Sequence, residues 1–372
     1  MPRVIGIDPG TVSVDVYGLD DGRVFLDESV PTGDALADPS PLLELLGGQH
    51  RTRPLDLVAG PSGYGLPLTS VADLTDNDLR LAFLTADGEA GGIGGLRRLV
   101  RGMARVAPSV PVVLTPGVIH LSSVPAYRKV NRVDMGTADK VCAAALALHE
   151  EAGRLGCRER DVSFIFLELG GAFSAGLAVE RGCIVDGYGG TAGPLGLRAA
   201  GALDGEVAFL AGTITKDRLF QGGAASIAGA PDAPAEAVAN PRTPQARLAR
   251  DAYLESAVKT VAALAVAATG ACVVILSGRM ARADGLREDL ERRLAGVHSG
   301  GGVGTMTTRV LKGLGGVAKH AAQGAALVAD GLAGGAAATL VDALGIRTAS
   351  GTVLDHLYVI SPAAARARLG II

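Results

Sequence analysis

An internal repeat constrains the fold of this chain more than any other feature of its sequence. An apolar, β-branched run that ends in a carboxylate and turns at once on glycine occurs near the start of the chain and again in its middle. Asp8 and Glu168 close the two runs, Gly10 and Gly170 follow them, and the residue numbers differ by 160 in both pairs. Such a repeat requires each copy to form the same supersecondary unit.

The repeat continues beyond the turn, because two strand-like runs flank a tight turn in each copy. Gly22 and Gly182 lie in these tight turns and are again 160 residues apart. The pattern predicts a strand followed by a hairpin in each half. Two such units facing each other would place two glycine turns and two carboxylates around one cleft. The predicted hairpin strands are Val12–Leu19 and Arg23–Val30 in the first copy, and Phe173–Val179 and Cys183–Asp186 in the second.

The first turn has the chemistry of half a phosphate clamp. Pro9 and Gly10 favour a tight turn in which the backbone can approach an anion without an intervening side chain. Asp8 would hold Mg²⁺ through water, while the Thr11 hydroxyl and nearby amides face phosphate oxygens. Taken alone, this pattern fits an ordinary strand and turn equally well, so the prediction depends on the second copy.

Length and composition limit the function classes. The 372 residues suffice for two domains, and the formal net charge of −3 argues against a general nucleic-acid binder. The four cysteines are widely spaced, which suggests neither a zinc site nor a disulfide framework. No signal peptide is recognisable, so we expect a cytoplasmic protein. The apolar segment Thr260–Leu276 is predicted to divide into a buried helix and a buried strand rather than span a membrane.

The most polar informative stretch, residues 115–140, lies between the two copies. Arg128 or Arg132 would neutralise an anionic substrate, and Asp134 or Asp139 would be available for proton or metal chemistry. A salt-bridged loop is the alternative explanation for any one of these residues. Thr137 is a plausible N-cap for a helix predicted over residues 138–152.

Further helices and loops follow from periodicity and glycine content. Helices are predicted around residues 42–46, 92–106, 206–211, 247–269, 283–294 and 317–332, with glycine-rich loops at residues 60–65 and 187–196. The Pro/Ala-rich region of about residues 204–247 is interpreted as an insertion. Buried strands are predicted at Leu55–Ala59, Val110–Leu114 and Cys272–Leu276. The last of these leads into Ser277, Gly278 and Arg279, a turn suited to packing against adenine, although a simple strand-to-helix turn explains it equally well.

Five segments resemble, in order, the first phosphate, first connecting, second phosphate, adenosine and second connecting motifs of the acetate and sugar kinase, Hsp70 and actin superfamily. They are residues 6–11, 136–139, 167–171, 276–279 and 322–326. Residues 133–140 are also similar to a group labelled predicted butyrate kinase. The resemblance implies an α/β fold of two duplicated ribonuclease-H-like lobes, residues 1–135 and 136–372, with an interlobe cleft that binds ATP and Mg²⁺. It also implies a homodimer.

The resemblance assigns roles to the candidate residues. Asp8 and Glu168 would orient the metal, and the adenosine would lie on Ser277, Gly278 and Arg279. The resemblance implies that the γ-phosphoryl group passes to a small acceptor of the carboxylate class, bound by Arg128 or Arg132. Such an acceptor is already ionised, so Asp134 and Asp139 would act on metal or geometry. Glu168 departs from the usual aspartate. The phosphates would be held by Gly10, Thr11, Gly170 and Gly171.

Two other function classes stay open. A ribonuclease-H-like nuclease also begins with a strand ending in Ile-Asp-Pro-Gly-Thr and would use Asp8 and Glu168 for two metals. The acidic net charge and the turn after residue 276 argue against it. An ATP-binding regulator or scaffold without a small acceptor is the other class. ATPase activity without acceptor stimulation would favour the regulator, and cutting of branched DNA would favour the nuclease.

Overall fold

The fold is described from a computed structural model of the chain. The chain forms two compact units, which we call unit 1 and unit 2. Unit 1 contains Met1–Val133, Thr137–Arg160 and Lys312–Ile372; unit 2 contains Asp134–Gly136 and Asp161–Leu311. The structure describes residues 2–60, 63–85, 92–106, 109–229, 235–297 and 305–371.

The boundaries of these units differ from the predicted division of the chain into lobes at residues 1–135 and 136–372. Residues 137–160 and 312–372 belong to unit 1 because they carry helices that pack on the first sheet and on each other. The predicted lobe boundaries came from the order of the sequence motifs, which carries no information about this packing.

The strands of unit 1 are β1 Arg3–Pro9, β2 Ser13–Asp20, β3 Arg23–Pro31, β4 Leu57–Gly60, β5 Thr69–Ser70 and β6 Val112–Leu114. Those of unit 2 are β7 Phe164–Leu169, β8 Ser174–Glu180, β9 Cys183–Tyr188, β10 Val273–Ser277 and β11 Thr307–Val310.

The helices of the first half of the chain are α1 Thr32–Ala37, α2 Ser40–Thr52, α3 Asp76–Phe83, α4 Gly92–Val106, α5 Ala126–Lys129 and α6 Ala138–Leu155. The later ones are α7 Gly205–Ala211, α8 Ala224–Ile227, α9 Ala235–Ala239, α10 Pro244–Ala265, α11 Asp284–Leu294, α12 His320–Leu332, α13 Ala338–Ala343 and α14 Pro362–Arg368. Short 3₁₀ helices cover Val71–Asp73, Val118–His120, Glu159–Asp161, Asp217–Phe220, Met280–Arg282 and Ile346–Thr348.

The sheet of unit 1 has the order β3-β2-β1-β4-β6-β5. β1 runs antiparallel to β2 and parallel to β4, so the hairpin forms one side of the sheet. α12 packs directly on β1, and Gly6 makes this possible: a Cβ there would lie 2.1 Å from the Ala326 amide nitrogen. Gly324 brings α12 equally close to α6, where an added Cβ would lie 1.8 Å from the Cys142 carbonyl oxygen. Two glycines therefore fix the position of α12.

The sheet of unit 2 has the order β11-β10-β7-β8-β9. Its core is apolar and contains Tyr253 and Leu264 of α10 together with Ile165 and Leu167 of β7, all fully buried. α11 adds leucines to the same core, including Leu290. Burial of these side chains is the main stabilising term for the unit.

The two hairpins match in backbone detail. In each hairpin the register shifts at the same place, between Gly18 and Leu19 in the first and between Ala178 and Val179 in the second. Asp21 and Gly22 both have positive φ, and so do Arg181 and Gly182 at the corresponding positions. The predicted repeat is therefore present in the conformation as well as in the sequence.

Most predicted elements occur with shifted ends. The helix predicted at residues 42–46 extends over α2, the helix at 247–269 is α10 and ends at Ala265, and the one at 317–332 begins only at His320. Thr137 occupies the N-cap position of α6, but its side chain makes no capping hydrogen bond. The segment from residue 260 divides into the end of α10 and β10, as predicted. No helix among the described residues is long and apolar enough to cross a bilayer. The predicted loop at 60–65 lies partly outside the described residues.

Candidate functional site

The first glycine turn is tied down by hydrogen bonds at both ends. The Gly10 amide donates to the Ser13 carbonyl at 2.9 Å, and the Thr32 hydroxyl donates to the Gly10 carbonyl at 2.7 Å. The Thr32 amide also donates to the Val12 carbonyl at 3.0 Å. Thr11, at the tip, is exposed. The turn is thus a fixed backbone feature that presents Thr11 to solvent.

Two carboxylates stand side by side just below this turn. Asp8 of β1 is the direct antiparallel partner of Asp15 of β2, and both are buried, with exposures of 5% and 1%. The Ser13 hydroxyl donates to Asp15 Oδ2 at 2.8 Å. Like charges directly opposite each other on neighbouring strands destabilise a sheet. A buried carboxylate pair therefore needs a cation nearby.

Lys319 supplies that cation. Its Nζ lies 2.8 Å from Asp15 Oδ2 and 3.8 Å from Asp8 Oδ2, and it donates to the Ser13 carbonyl at 2.8 Å. The side chain is 39% exposed, whereas the two carboxylates are buried. The sequence prediction missed both Lys319 and Asp15, because a contact over 304 residues depends on how α12 packs.

The segment that precedes α12 is fastened to the hairpin. Asp27 of β3 accepts hydrogen bonds from the backbone amides of Val317 and Ala318, each at 2.8 Å. The Tyr17 hydroxyl donates to the Leu314 carbonyl at 3.3 Å. These contacts, together with the close packing of α12 on β1, place the Lys319 side chain against the first turn.

The second glycine turn lies in unit 2 and repeats the first. The Gly170 amide donates to the Phe173 carbonyl at 3.0 Å, which is the bond of Gly10 displaced by 160 residues. Glu168 is half-buried at the end of β7. Its register partner on β10 is Ser277, so the predicted phosphate and adenosine motifs of this unit are neighbours at the carboxyl ends of adjacent parallel strands. That edge of a parallel sheet is where α/β proteins place ligands.

Gly278 accounts for the close approach of these two turns. Its φ is +92°, and a Cβ there would lie 2.3 Å from the Leu169 carbonyl oxygen. A side chain at this position would push the two turns apart. Gly171 follows Gly170 and is half-buried, whereas Arg279 is exposed.

Arg128 and Arg132 flank a short, well-anchored segment of unit 1. The Arg128 guanidinium lies 5.6 Å from the centroid of the exposed Tyr127 ring, and the Arg132 amide donates to the Lys129 carbonyl at 3.0 Å. Between them, the buried Lys129 Nζ donates to the Leu121 carbonyl at 3.0 Å, and burial lowers the pKa of Lys129. Asn131 Oδ1 accepts from the amides of Tyr358 and Val359 at 2.7 and 3.0 Å.

The two predicted aspartates belong to different units. Asp134, in unit 2, is buried and accepts from Thr191 and from the Gly136 amide. Asp139, at the start of α6 in unit 1, accepts from the Thr137 hydroxyl and from Lys140 Nζ, the latter at 2.6 Å. Burial acts to raise the pKa of Asp139, but the Lys140 charge and these hydrogen bonds outweigh it and hold the pKa below its usual value.

His120 belongs to the polar stretch of residues 115–140, although it is not among the predicted site residues. Its side chain is 1% exposed, and neither ring nitrogen has a hydrogen-bond partner among the described residues. Burial lowers the pKa of His120 to about 4, although the Gly117 backbone opposes the shift. The Lys129 charge acts in the same direction as burial. The imidazole is therefore neutral at pH 7. Its position in the polar stretch after a predicted buried strand was the sequence signal for it.

The described residues of unit 1 do not form a set of direct protein ligands for Mg²⁺. Asp8 and Asp15 are oxygen donors of the type that Mg²⁺ prefers. The Lys319 ammonium nevertheless lies beside both, and no cluster of three or more His, Cys, Asp or Glu side chains suited to a metal occurs in the part of the chain that the structure describes. These donors do not fit a metal bound directly by several protein ligands.

Two α/β units with duplicated hairpins and matching glycine turns have the two-lobe α/β fold that the sequence predicts. The predicted fold class is thereby confirmed. The chain belongs to the family described as "Protein of unknown function (DUF1464)", whose profile matches residues 6–359. No curated protein matches the sequence significantly.

Solved structures of kinases share this fold. A propionate kinase from Francisella tularensis subsp. tularensis SCHU S4 is similar with a TM-score of 0.64 and 14% identity, covering 88% of this chain and 98% of that chain. The acetate kinase of Porphyromonas gingivalis gives 0.60 and 14%, covering 87% and 98%. A putative N-acetylmannosamine kinase from Listeria monocytogenes gives 0.51 and 14%, covering 87% and 97%. At this identity the similarity establishes the fold.

Proposed function

We propose that this protein is an ATP-dependent phosphotransferase that transfers the γ-phosphoryl group to a small acceptor. The observation that carries the proposal is the pair of equivalent glycine turns, each preceded by a carboxylate and each closed by a hydrogen bond from glycine to the residue three positions later. Exposed backbone in such turns suits phosphate oxygens. The kinase names of the structural relatives support the same class of reaction.

Each candidate residue has a role in this proposal. Gly10, Thr11, Gly170 and Gly171 hold phosphates, while Asp8 and Glu168 orient the waters of the Mg²⁺ that accompanies ATP. Mg²⁺ neutralises phosphate charge in such reactions. Ser277, Gly278 and Arg279 hold the adenosine. Because Asp134 and Asp139 already accept several hydrogen bonds, we assign them to positioning the chain rather than to proton transfer.

The acceptor we propose is a short-chain carboxylate of the acetate, propionate or butyrate type. Two of the relatives with higher TM-scores carry acetate or propionate in their names. Arg128 or Arg132 would bind the carboxylate and stabilise charge on the transferred group. An ionised carboxylate needs no general base, and the proposal assigns none. A sugar is the second candidate acceptor, supported by the N-acetylmannosamine kinase name at a lower TM-score.

We also propose that the protein is a homodimer in which the region of residues 204–247 takes part. α7 leaves Phe209 79% and Leu210 80% exposed, and such a patch suits a contact with another protein surface. Light scattering of the wild type and of Phe209→Ser/Leu210→Ser tests this. Equal masses for the two proteins would mean that this region takes no part in a dimer contact.

Calorimetric titration with ATP and Mg²⁺ tests the central proposal. Wild type should bind in the micromolar range, Asp8→Ala should bind at least tenfold more weakly, and the exposed control Asp73→Ala should bind as wild type does. ADP release is then measured with C2–C4 acids and with hexoses. Binding without any acceptor stimulation would favour an ATP-driven regulator, and failure of wild type to bind would exclude both the kinase and the regulator.

A further inference from the structure

We infer that Lys319 is a phosphate ligand at the first glycine turn, with Asp15 as the residue that positions it. This inference rests on the proposed function. Lys319 directly precedes α12 and adds a positive charge to the first turn. The sequence predicted that glycine, threonine and a metal would contact the phosphate there.

The hydrogen bonding of the ammonium group supports this role. A lysine ammonium has three N–H donors. Two of them serve Asp15 Oδ2 and the Ser13 carbonyl at 2.8 Å each, while Asp8 Oδ2, at 3.8 Å, is beyond hydrogen-bond distance. Among the described residues these two are its hydrogen-bond acceptors, so one donor can serve a further acceptor without breaking either bond. Because the side chain is 39% exposed, a ligand can reach it.

The ammonium also lies against the part of the turn that phosphate would approach. An added Cβ at Gly10 would lie 2.3 Å from Lys319 Nζ, so the glycine leaves room for the lysine. The Ser13 carbonyl accepts from both Lys319 and the Gly10 amide, which links the cation to the turn itself. A phosphate on this turn would meet backbone donors and a positive charge together, which is the pairing that favours anion binding.

The charge balance explains why Asp15 is present. Asp8 and Asp15 would repel each other without a cation, and Lys319 leaves the three groups with one net negative charge. The position equivalent to Asp15 in the second copy is Ala175, 160 residues later. Ala175 faces Glu168 just as Asp15 faces Asp8. The second turn thus has the carboxylate but lacks the residue that would hold a lysine.

Titration with ATP, ADP and AMP, each with Mg²⁺ and with EDTA, tests the inference on four proteins. They are the wild type, Lys319→Met, Asp15→Asn/Lys319→Met and the control Lys312→Met, which removes an exposed lysine from the same unit. Loss of one charge-assisted hydrogen bond should weaken ATP and ADP binding about 10- to 100-fold. The loss of affinity should appear with and without Mg²⁺. Lys312→Met should bind ATP and ADP as wild type does. AMP binding should be unchanged in every variant.

The double variant separates a phosphate ligand from a simple counter-ion. Lys319→Met leaves two buried carboxylates unbalanced, whereas the double variant removes that imbalance and should fold normally by circular dichroism. If Lys319 binds phosphate, the double variant stays weak. Recovery of wild-type ATP affinity in the double variant, or full affinity in Lys319→Met, overturns the inference and leaves the proposed function standing. A wild type that does not bind ATP overturns both.

Discussion

The Thr191 backbone amide and hydroxyl both donate to Asp134 Oδ2, each at 2.9 Å. Asp134 therefore holds the loop after β9, and the Gly136 amide adds a third hydrogen bond at 3.2 Å. We expect Asp134→Ala to lower the free energy of unfolding by about 2–3 kcal/mol, because it leaves one buried and two part-buried donors unpaired. Urea unfolding measures the loss.

The matched variant for this prediction is Thr191→Val, which removes the hydroxyl but keeps the amide donor. Its loss should be smaller, about 1 kcal/mol. An Asp134→Ala protein that unfolds at the same urea concentration as wild type would contradict the structural role of this carboxylate.

The contact between β1 and α12 predicts a large effect of one added methyl group. In Gly6→Ala the new Cβ would lie 2.1 Å from the Ala326 amide nitrogen and 2.3 Å from the Ala322 carbonyl oxygen, so backbone must move. We expect a loss of about 3 kcal/mol or more in the free energy of unfolding. The control is Gly48→Ala in α2, where only the end of the Arg51 side chain is near and stability should rise by about 0.5–1 kcal/mol. Thermal unfolding that ranks the two variants the other way would refute this.

His120 predicts a pH dependence of stability. Its pKa falls from 6.5 to about 4 on folding, so the unfolded chain binds more protons between these values. The contribution is complete above pH 6.5 and is lost as pH falls toward 4, by about 3 kcal/mol in total. Lys129 favours the neutral imidazole, while Asp355 opposes it. Urea unfolding at pH 7 and pH 4.5 should show a smaller drop for His120→Leu than for wild type.

The exposed residue His149 provides the comparison for that experiment. His149→Gln should keep the wild-type drop between the two pH values. If His120→Leu keeps it as well, the buried imidazole is not its source.

The cysteines predict a fixed order of reactivity with a thiol reagent. Burial raises the pKa of Cys142 to about 12, so almost no thiolate is present at pH 8, whereas Cys272 is exposed. The thiolate is the reactive form. Ellman's reagent should modify Cys272 in the folded protein and leave Cys142 intact until the chain is unfolded. Cys272→Ser should remove the fastest phase, and rapid labelling of Cys142 in peptide maps would contradict the packing of α6.

The sequence predicted the local features of the fold well. The repeat, both hairpins and both glycine turns follow from alternation, glycine and a constant offset, because these structures are set by neighbouring residues. Lys319 could not be predicted in this way, since its partner Asp15 lies in a different part of the chain and only the packing of α12 joins them. The environment of His120 could not be predicted either, because tertiary packing buries both ring nitrogens without a hydrogen-bond partner among the described residues.

The matching bulges of the two hairpins bear on the origin of the repeat. The register shift after Gly18 and the one after Ala178 lie at corresponding places, as duplication of one ancestral gene segment would leave them. One copy carries a salt-bridged aspartate where the other has alanine, so the two copies share a bend of the main chain but differ in the charge beside the turn.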